Sequence, residues 1–385
     1  METINENQKL DGNHGIVASY PNQFFGYFGW PTLTRMPNGT LLAAASGLRN
    51  YHVCPFGRTT ISTSNDNGKT WTSPKVINDS PFDDRDAGIL SVKEKDLILS
   101  WFTTDNRGAI PSKYEQGLSP WETKIWEQGL TSMTDQTVKD FVGSWIRTST
   151  DAGLSWSEKV RVPISAPHGP VKLSNNDLLY FGTETDHDSL KTLQTGPPRP
   201  KQITAVRSTD FGKTWVKLGN VPTNPQTFTG SFNEPHCLEL SDGKILGLIR
   251  NDPNSHDYGK RQPGETDFTM YQTISENGGA TWSEAEPLGF HGSPPHLIQH
   301  SNGTIICVYS FREKPYGIRA MLSRDNGKSW QYNYILRDDG LHPDLGYPSS
   351  VELEDGSIIS MYYQKLNSAD EKCSLLFTKW KVPTI

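Results

Sequence analysis

The 385-residue sequence is poor in several features that define common classes of protein. Its four cysteines, Cys54, Cys237, Cys307 and Cys373, are widely spaced and form no CxxC pair, so neither a zinc site nor a disulfide scaffold is indicated. No apolar run approaches the roughly 18 residues of a membrane span, and residues 1–9 lack the apolar core of a signal peptide. We therefore expect no membrane partner and a cytoplasmic location, or a secreted or periplasmic one if a leader has been removed.

Basic residues are not in excess either. The sequence has 37 Lys and Arg against 43 Asp and Glu, a formal net charge of -6, and no basic stripe, which argues against nucleic acid as a partner. Only 34% of the residues are hydrophobic, whereas Gly (34), Pro (26) and Trp (11) are plentiful. This composition is typical of a turn-rich protein with many short strands.

One motif, Ser-x-Asp-x-Gly-x-x-Trp, occurs five times, with Asn277 in the Asp position of the fourth copy. The copies span residues 64–71, 149–156, 208–215, 275–282 and 323–330. Ser and Asp side chains bond turn amides, Gly accepts a positive φ and Trp packs on the flanking strands, so the motif predicts a tight hairpin. Because one active site does not need five copies, these aspartates are predicted to be structural.

A second repeat, a turn followed by a short apolar strand, occurs six times. Its copies begin at Asn38, Asp96, Asn176, Asp242, Asn302 and Asp355. The two repeats together predict an all-β, six-bladed β-propeller of four-stranded antiparallel blades, as one domain over residues 1–385. The sixth unit lacks the motif and is one strand short, and residues 15–19 are predicted to complete it.

Three long insertions interrupt the repeats. They run from Asp105 to Asp140, where we expect a short helix, from Asp186 to Lys201, and from Asn251 to Asp267. Long loops on a rigid ring are common sites of binding.

The residues before each innermost strand should converge on the central axis of a propeller. They are Gly29-Trp30-Pro31, Arg85-Asp86-Ala87, Pro167-His168-Gly169, Asn233-Glu234-Pro235, Ser293-Pro294-Pro295 and Gly346-Tyr347-Pro348. Polar groups there could simply line a wet channel, but their convergence favours an acid/base site. We predict Arg85, Asp86, His168 and Trp30 as substrate-binding residues.

With its five Asp motifs and six units, the chain resembles the sialidase (neuraminidase) superfamily along nearly all its length. The resemblance implies that Glu234 and Arg250 are the family's glutamate and second carboxylate-binding arginine, and that Tyr347 is its tyrosine nucleophile. A phenol has a reference pKa of about 10, and a neighbouring carboxylate can take its proton. The implied activity is that of an exo-acting glycoside hydrolase on a terminal, acidic sugar of a glycan.

The sequence departs from the family pattern in two places. Gly29 stands where the family has its first arginine, and the loop that should carry the acid/base aspartate has none, so His52 is predicted to replace it. For the third arginine Arg312 is favoured, and Arg319 is the alternative.

These departures leave two other functions open. One is a polysaccharide lyase or histidine-dependent glycosidase that acts on a uronic-acid-containing or rhamnosyl glycan, and the other is a glycan-binding propeller without catalysis. No cofactor is predicted, and a metal site built from His52, His168, His236 and His296 is disfavoured because their spacing matches no metal motif.

Overall fold

The computed structural model describes residues 7–107, 118–185, 202–222, 232–252, 266 and 268–383. Within these ranges the chain forms 26 strands and two α-helices. The predicted insertion Asp186–Lys201 lies outside the described residues, as does most of Asn251–Asp267.

The elements follow one another around a ring. The first three sets are the N-terminal strands, blade one and blade two: β1 (Gln8–Lys9), β2 (Gly12–Ala18); β3 (Tyr27–Arg35), β4 (Leu41–Arg49), β5 (Arg58–Ser64), β6 (Lys75–Asp79); β7 (Asp83–Ser91), β8 (Leu97–Thr104), α1 (Pro120–Thr131), α2 (Asp135–Phe141), β9 (Gly143–Ser149), β10 (Val160–Val162). Blades three and four are β11 (Ile164–Ser165), β12 (Val171–Lys172), β13 (Leu178–Glu184), β14 (Ile203–Ser208), β15 (Val216–Asn220); β16 (Phe232–Glu239), β17 (Ile245–Asn251), β18 (Thr269–Ser275), β19 (Glu286–His291). Blades five and six are β20 (Pro295–Gln299), β21 (Ile305–Phe311), β22 (Tyr316–Ser323), β23 (Gln331–Gly340); β24 (Gly346–Glu352), β25 (Ser357–Gln364), β26 (Ser374–Lys381).

The described strands make six sheets, and within each sheet strands adjacent in the chain pair antiparallel. The predicted all-β, six-bladed propeller is therefore confirmed. In blade six, β2 pairs antiparallel with β26 as the outermost strand, and β1 adds a short parallel strand to β23 of blade five. The N-terminal segment thereby joins two blades that are formed by the C-terminal part of the chain.

The core lies between neighbouring blades, because alternate residues of a strand face opposite sides of its sheet. In β4, Ala43 and Ala45 pack toward Ile359 of blade six, whereas Leu42 and Ala44 join the cluster shared with blade two. Each sheet is thus covered on both faces.

The repeated Asp motif forms the turn between the third and fourth strands of blades one to five. In the first copy, the Ser64 hydroxyl accepts the Gly68 N–H (3.0 Å), and the Asp66 carboxylate accepts the Thr70 N–H (2.9 Å). Gly68 has a φ of +84°, and Trp71 donates its indole N–H to the Gly68 carbonyl (3.1 Å). In this copy the motif acts on the hairpin itself, which supports the structural role.

The insertion of blade two contains α1 and α2, which confirms the predicted helix. The Ser119 side chain caps α1 and the Glu122 carboxylate accepts the Ser119 N–H (2.8 Å), which forms a capping box. Trp126 donates its indole N–H to the Asn50 side chain (3.1 Å), so α1 is fixed on the loop that carries His52. Among the described residues, neither helix has the length and apolar character needed to cross a bilayer.

Candidate active site at the central axis

Four of the innermost strands share one backbone feature. Their pairing with the second strand shifts register, and at each shift a residue other than glycine has a left-handed conformation: Trp30 (φ 49°), Asp86 (φ 52°), Glu234 (φ 46°) and Tyr347 (φ 48°). Side chains disfavour this region of φ, and bulges of this kind re-aim side chains beside active sites. Blades one, two, four and six therefore present one side chain each from equivalent positions.

Tyr347, Glu234 and Arg250 form a hydrogen-bonded triangle across blades four and six. The Tyr347 hydroxyl donates to Glu234 Oε1 (2.6 Å) and accepts from Arg250 Nη1 (3.1 Å). Arg250 also donates to Glu234 through Nη1 and to Asp252 through Nη2 (3.1 Å). The phenol thus has a base to receive its proton and a cation beside the oxygen that would become negative.

The electrostatics of the triangle keep the proton on the phenol at rest. Burial and the Glu234 carboxylate raise the pKa of Tyr347 well above its ordinary value. Burial alone would raise the pKa of Glu234, but Arg250 and the hydrogen bond from Tyr347 hold it below its ordinary value. Glu234 is therefore ionised and able to accept a proton.

Arg312 lies beside this triangle, and Arg319 does not. The Arg312 guanidinium is 5.6 Å from the centre of the Tyr347 ring, and its Nη2 donates to the Leu345 carbonyl (3.1 Å). Among the described residues Arg312 has no carboxylate partner, and its buried Nε has no hydrogen-bond acceptor. Arg319 instead lies over Phe311 (3.8 Å) and bonds Asn7.

The Trp30 ring packs inside this end of the molecule. It is 1% exposed, with the Arg85 guanidinium 4.2 Å and the Arg49 guanidinium 4.7 Å from its centre. Arg49 is itself paired with Asp83 (2.8 Å), and both side chains are fully buried. Trp30 is thus buried against these two cations, and its contact with a substrate stays a prediction.

Asp86 is a buried carboxylate close to Glu234. Burial raises the pKa of Asp86 to about 7, with Glu234 adding to the rise and Arg85 opposing it. Its Oδ1 is buried and has no hydrogen-bond partner among the described residues. Asp86 is thus a second acid at the axis, protonated for part of the time near neutral pH.

His52 lies against Trp30 with a partner that sequence reasoning missed. Its Nδ1 is 2.8 Å from Asp344 Oδ1, and the ring centres of His52 and Trp30 are 4.9 Å apart. Asp344 also accepts hydrogen bonds from Tyr27 (2.9 Å) and Tyr363 (3.0 Å). The available signal was its place three residues before Tyr347, but no motif marks it.

His168 lies in a separate cluster and not with the Tyr347 triangle. Its ring is 4.8 Å from that of His296 and 5.7 Å from that of His236, and its Nδ1 bonds Thr32 (3.0 Å). It is 3% exposed, and burial lowers its pKa well below the ordinary value. The structure thus places His168 in a buried cluster of three histidines, and its contact with a substrate stays a prediction.

The four histidines considered as metal ligands are therefore divided between two places: His52 contacts Asp344, and His168, His236 and His296 pack against one another. Among the described residues, no group of three His, Cys, Asp or Glu side chains is arranged to hold a metal ion. All four cysteines are buried and free.

The ring of blades and its polar axis define a sialidase-like six-bladed propeller. Residues 130–360 match the BNR repeat-like domain, and the chain belongs to that family.

Comparison with solved structures gives the same fold. A Dyadobacter fermentans protein of unknown function has a TM-score of 0.72 at 20% identity, over 96% of this chain and 98% of that one. The intramolecular trans-sialidase of Ruminococcus gnavus has a TM-score of 0.63 at 16% identity, over 96% and 97%. At these identities the likeness concerns the fold alone.

The curated relatives are longer proteins. The chain is 26% identical over 264 residues to a xyloglucanase of a Paenibacillus species, which covers 59% of this chain and 23% of that protein. It is 25% identical over 209 residues to xyloglucanase Xgh74A of Acetivibrio thermocellus, which covers 49% and 21%. The chain thus spans less than a quarter of the length of these relatives.

Proposed function

We propose that the protein is a glycoside hydrolase that removes a terminal sugar from a glycan, with Tyr347 as nucleophile and Glu234 as the base that activates it. The observation that carries the proposal is the 2.6 Å hydrogen bond from the Tyr347 hydroxyl to Glu234, with Arg250 on the same oxygen. A phenol that donates to a carboxylate and accepts from a guanidinium is prepared to become a phenoxide. The xyloglucanase relatives and the sialidase-like fold support action on a carbohydrate.

The proposed reaction consists of two displacements at the anomeric carbon. Glu234 takes the Tyr347 proton as the phenol oxygen attacks the anomeric carbon, the glycosidic C–O bond breaks, and the leaving oxygen receives a proton from His52. Water then attacks the same carbon while His52 takes its proton, and Tyr347 leaves and recovers its own proton from Glu234. Two displacements at one carbon predict retention of the anomeric configuration.

An acidic sugar is the proposed substrate. Arg312 has no carboxylate partner among the described residues, whereas Arg250 has two, Glu234 and Asp252. A carboxylate on the sugar would supply the missing partner to Arg312 through bidentate hydrogen bonds. Gly29 has no side chain and therefore adds no donor to such a contact.

A second candidate, a polysaccharide lyase, is favoured by the contact of His52 with Asp344. A neutral imidazole that donates Nδ1–H to a carboxylate has a free lone pair on Nε2, which could abstract the C5 proton of a uronic acid residue. The C4–O bond would then break, a C4–C5 double bond would form, and the leaving oxygen would take the Tyr347 proton.

Product analysis separates these candidates. The protein is incubated with sialosides, uronides, rhamnosides and arabinosides, and the products are followed by NMR and ultraviolet absorbance. Hydrolysis gives a reducing sugar, elimination gives an absorbing unsaturated sugar, and binding without turnover indicates a glycan-binding propeller. Tyr347→Phe should abolish hydrolysis, and full turnover by this variant would refute the assignment of Tyr347.

A further inference from the structure

His52 and Asp344 lie 292 residues apart in sequence and in contact in space. His52 Nδ1 is 2.8 Å from Asp344 Oδ1 and 3.1 Å from the Tyr27 hydroxyl, and the same hydroxyl is 2.9 Å from Asp344 Oδ2. The Tyr363 hydroxyl is 3.0 Å from Oδ1. Two phenols and an imidazole therefore surround one carboxylate.

The available hydrogen-bond donors and acceptors determine which atoms of this cluster carry protons. Burial alone would raise the pKa of Asp344, but His52, Tyr27 and Tyr363 hold it well below its ordinary value, so the carboxylate is ionised and only accepts. Tyr27 has a single proton, which its position directs to Asp344. The contact between Nδ1 and Asp344 therefore requires that His52 carries its proton on Nδ1.

We propose that Asp344 is a positioning residue that holds His52 with Nδ1 protonated and presents Nε2 as the atom that exchanges protons with the substrate. This rests on the proposed function, in which His52 transfers the proton at the leaving oxygen. The imidazolium form donates from Nε2 in the first step, and the neutral form accepts a proton from water at Nε2 in the second.

Charged and titratable groups face His52 from several elements. Burial lowers the pKa of His52, the Asp344 carboxylate opposes that effect, and Arg85 of β7 and Arg49 of β4 lower it further. Tyr27 of β3 is neutral, because burial and Asp344 raise its pKa well above the ordinary value. Asp344 is thus the main group that favours the protonated imidazole, against burial and the two arginines.

The side chain of His52 is 39% exposed, although Nδ1 is engaged. The Arg49 guanidinium donates to the carbonyls of Tyr51 (3.0 Å) and His52 (2.9 Å), so the backbone of the loop is fixed separately from the imidazole. Substitution of Asp344 should therefore change the protonation of His52 and leave the loop in place.

The test uses ¹⁵N-histidine-labelled full-length protein and needs no substrate. Side-chain ¹⁵N spectra are recorded from pH 5 to 8 for the wild type and Asp344→Asn, and His52→Gln identifies the His52 signals. We expect a neutral His52 with the proton on Nδ1 in the wild type. In Asp344→Asn the pKa of His52 should fall by about 1 unit, a tenfold smaller protonated fraction near neutral pH.

Asp370→Asn is the matched control, because Asp370 is a buried aspartate of blade six that accepts the N–H groups of Leu366 (3.1 Å) and Asn367 (3.0 Å). It should leave the His52 signals unchanged. A wild-type His52 protonated on Nε2, or an equal pKa in the wild type and Asp344→Asn, overturns the proposal.

The rate of turnover of a substrate found in the screen provides a second measurement of the role of Asp344. The basic limb of the pH profile of kcat/KM, which reports loss of the imidazolium needed in the first step, should move to lower pH in Asp344→Asn, and an unmoved limb contradicts the proposal. Full activity of Tyr347→Phe would instead overturn the proposed hydrolysis, and the spectra would still decide the role of Asp344.

Discussion

The Asp86→Asn substitution tests how burial of the Asp86 carboxyl group at the axis affects the stability of the protein. Asparagine has nearly the shape of aspartate and tolerates the left-handed conformation that residue 86 adopts (φ 52°), so the backbone should not change. The variant therefore removes a carboxyl group and little else.

The expected effect on stability follows from the pKa of Asp86, which burial raises from 3.8 to about 7. A folded state that binds this proton more tightly than the unfolded state loses stability as the pH rises from about 4 to about 7. Each pKa unit corresponds to about 1.4 kcal/mol, so the two units from pH 5 to pH 7 amount to about 3 kcal/mol. Asp86→Asn should gain that amount over the wild type between pH 5 and pH 8.

The assay is urea unfolding, followed by tryptophan fluorescence, of both proteins at pH 5 and pH 8. The difference in unfolding free energy between them should grow with pH. In the Glu234→Gln background the growth should be smaller, because one of the charges that raise the pKa of Asp86 is gone. A difference that is the same at both pH values would refute the reasoning.

Three other substitutions address the frame, the turns and the site. Arg49→Met leaves Asp83 buried with only the longer contact to Arg85 (3.6 Å) and should lower the unfolding free energy by about 3 kcal/mol, measured by urea unfolding; Arg49→Met with Asp83→Leu should recover part of the loss. Asp210→Ala should cost about 1–2 kcal/mol in the same assay, and Asp210→Asn less, because Asn277 already accepts the Thr281 N–H (2.8 Å) in the fourth copy of the motif. Arg312→Gln should raise KM at least tenfold for a carboxylate-bearing substrate and leave KM for its methyl ester nearly unchanged; equal effects on both would contradict the anion-binding role.

The fold could be predicted because its signals are local. Each Asp motif makes its hydrogen bonds within its own hairpin, as the contact between Asp66 and Thr70 shows. The hairpin can therefore be recognised from one short stretch of sequence. The repeat then fixes the number of blades and the position of each innermost strand. Tyr347 and Glu234 could be placed at the axis from that spacing alone.

The rest of the site depends on contacts between distant residues. Asp344 acquires its role from His52 and Tyr27, on other strands and loops, and no local pattern marks such a partner. The spacing of the repeats also predicts which blade a residue belongs to, but it does not predict how deeply the side chain is buried. His168 is an example: it lies between Pro167 and Pro170, where β11 and β12 are separate short strands, and its ring packs against His236 and His296, a burial that the spacing alone does not reveal.

The left-handed bulges that present Trp30, Asp86, Glu234 and Tyr347 also limit which amino acids can occupy these four positions at the axis. Val, Ile and Thr are strongly disfavoured at such φ values because they branch at Cβ, whereas Gly, Asn, Asp and unbranched or aromatic side chains are admitted at a modest cost. The four bulges place an indole, two carboxylates and a phenol at equivalent points of the ring, so any change of chemistry at these points needs a side chain that the left-handed backbone accepts.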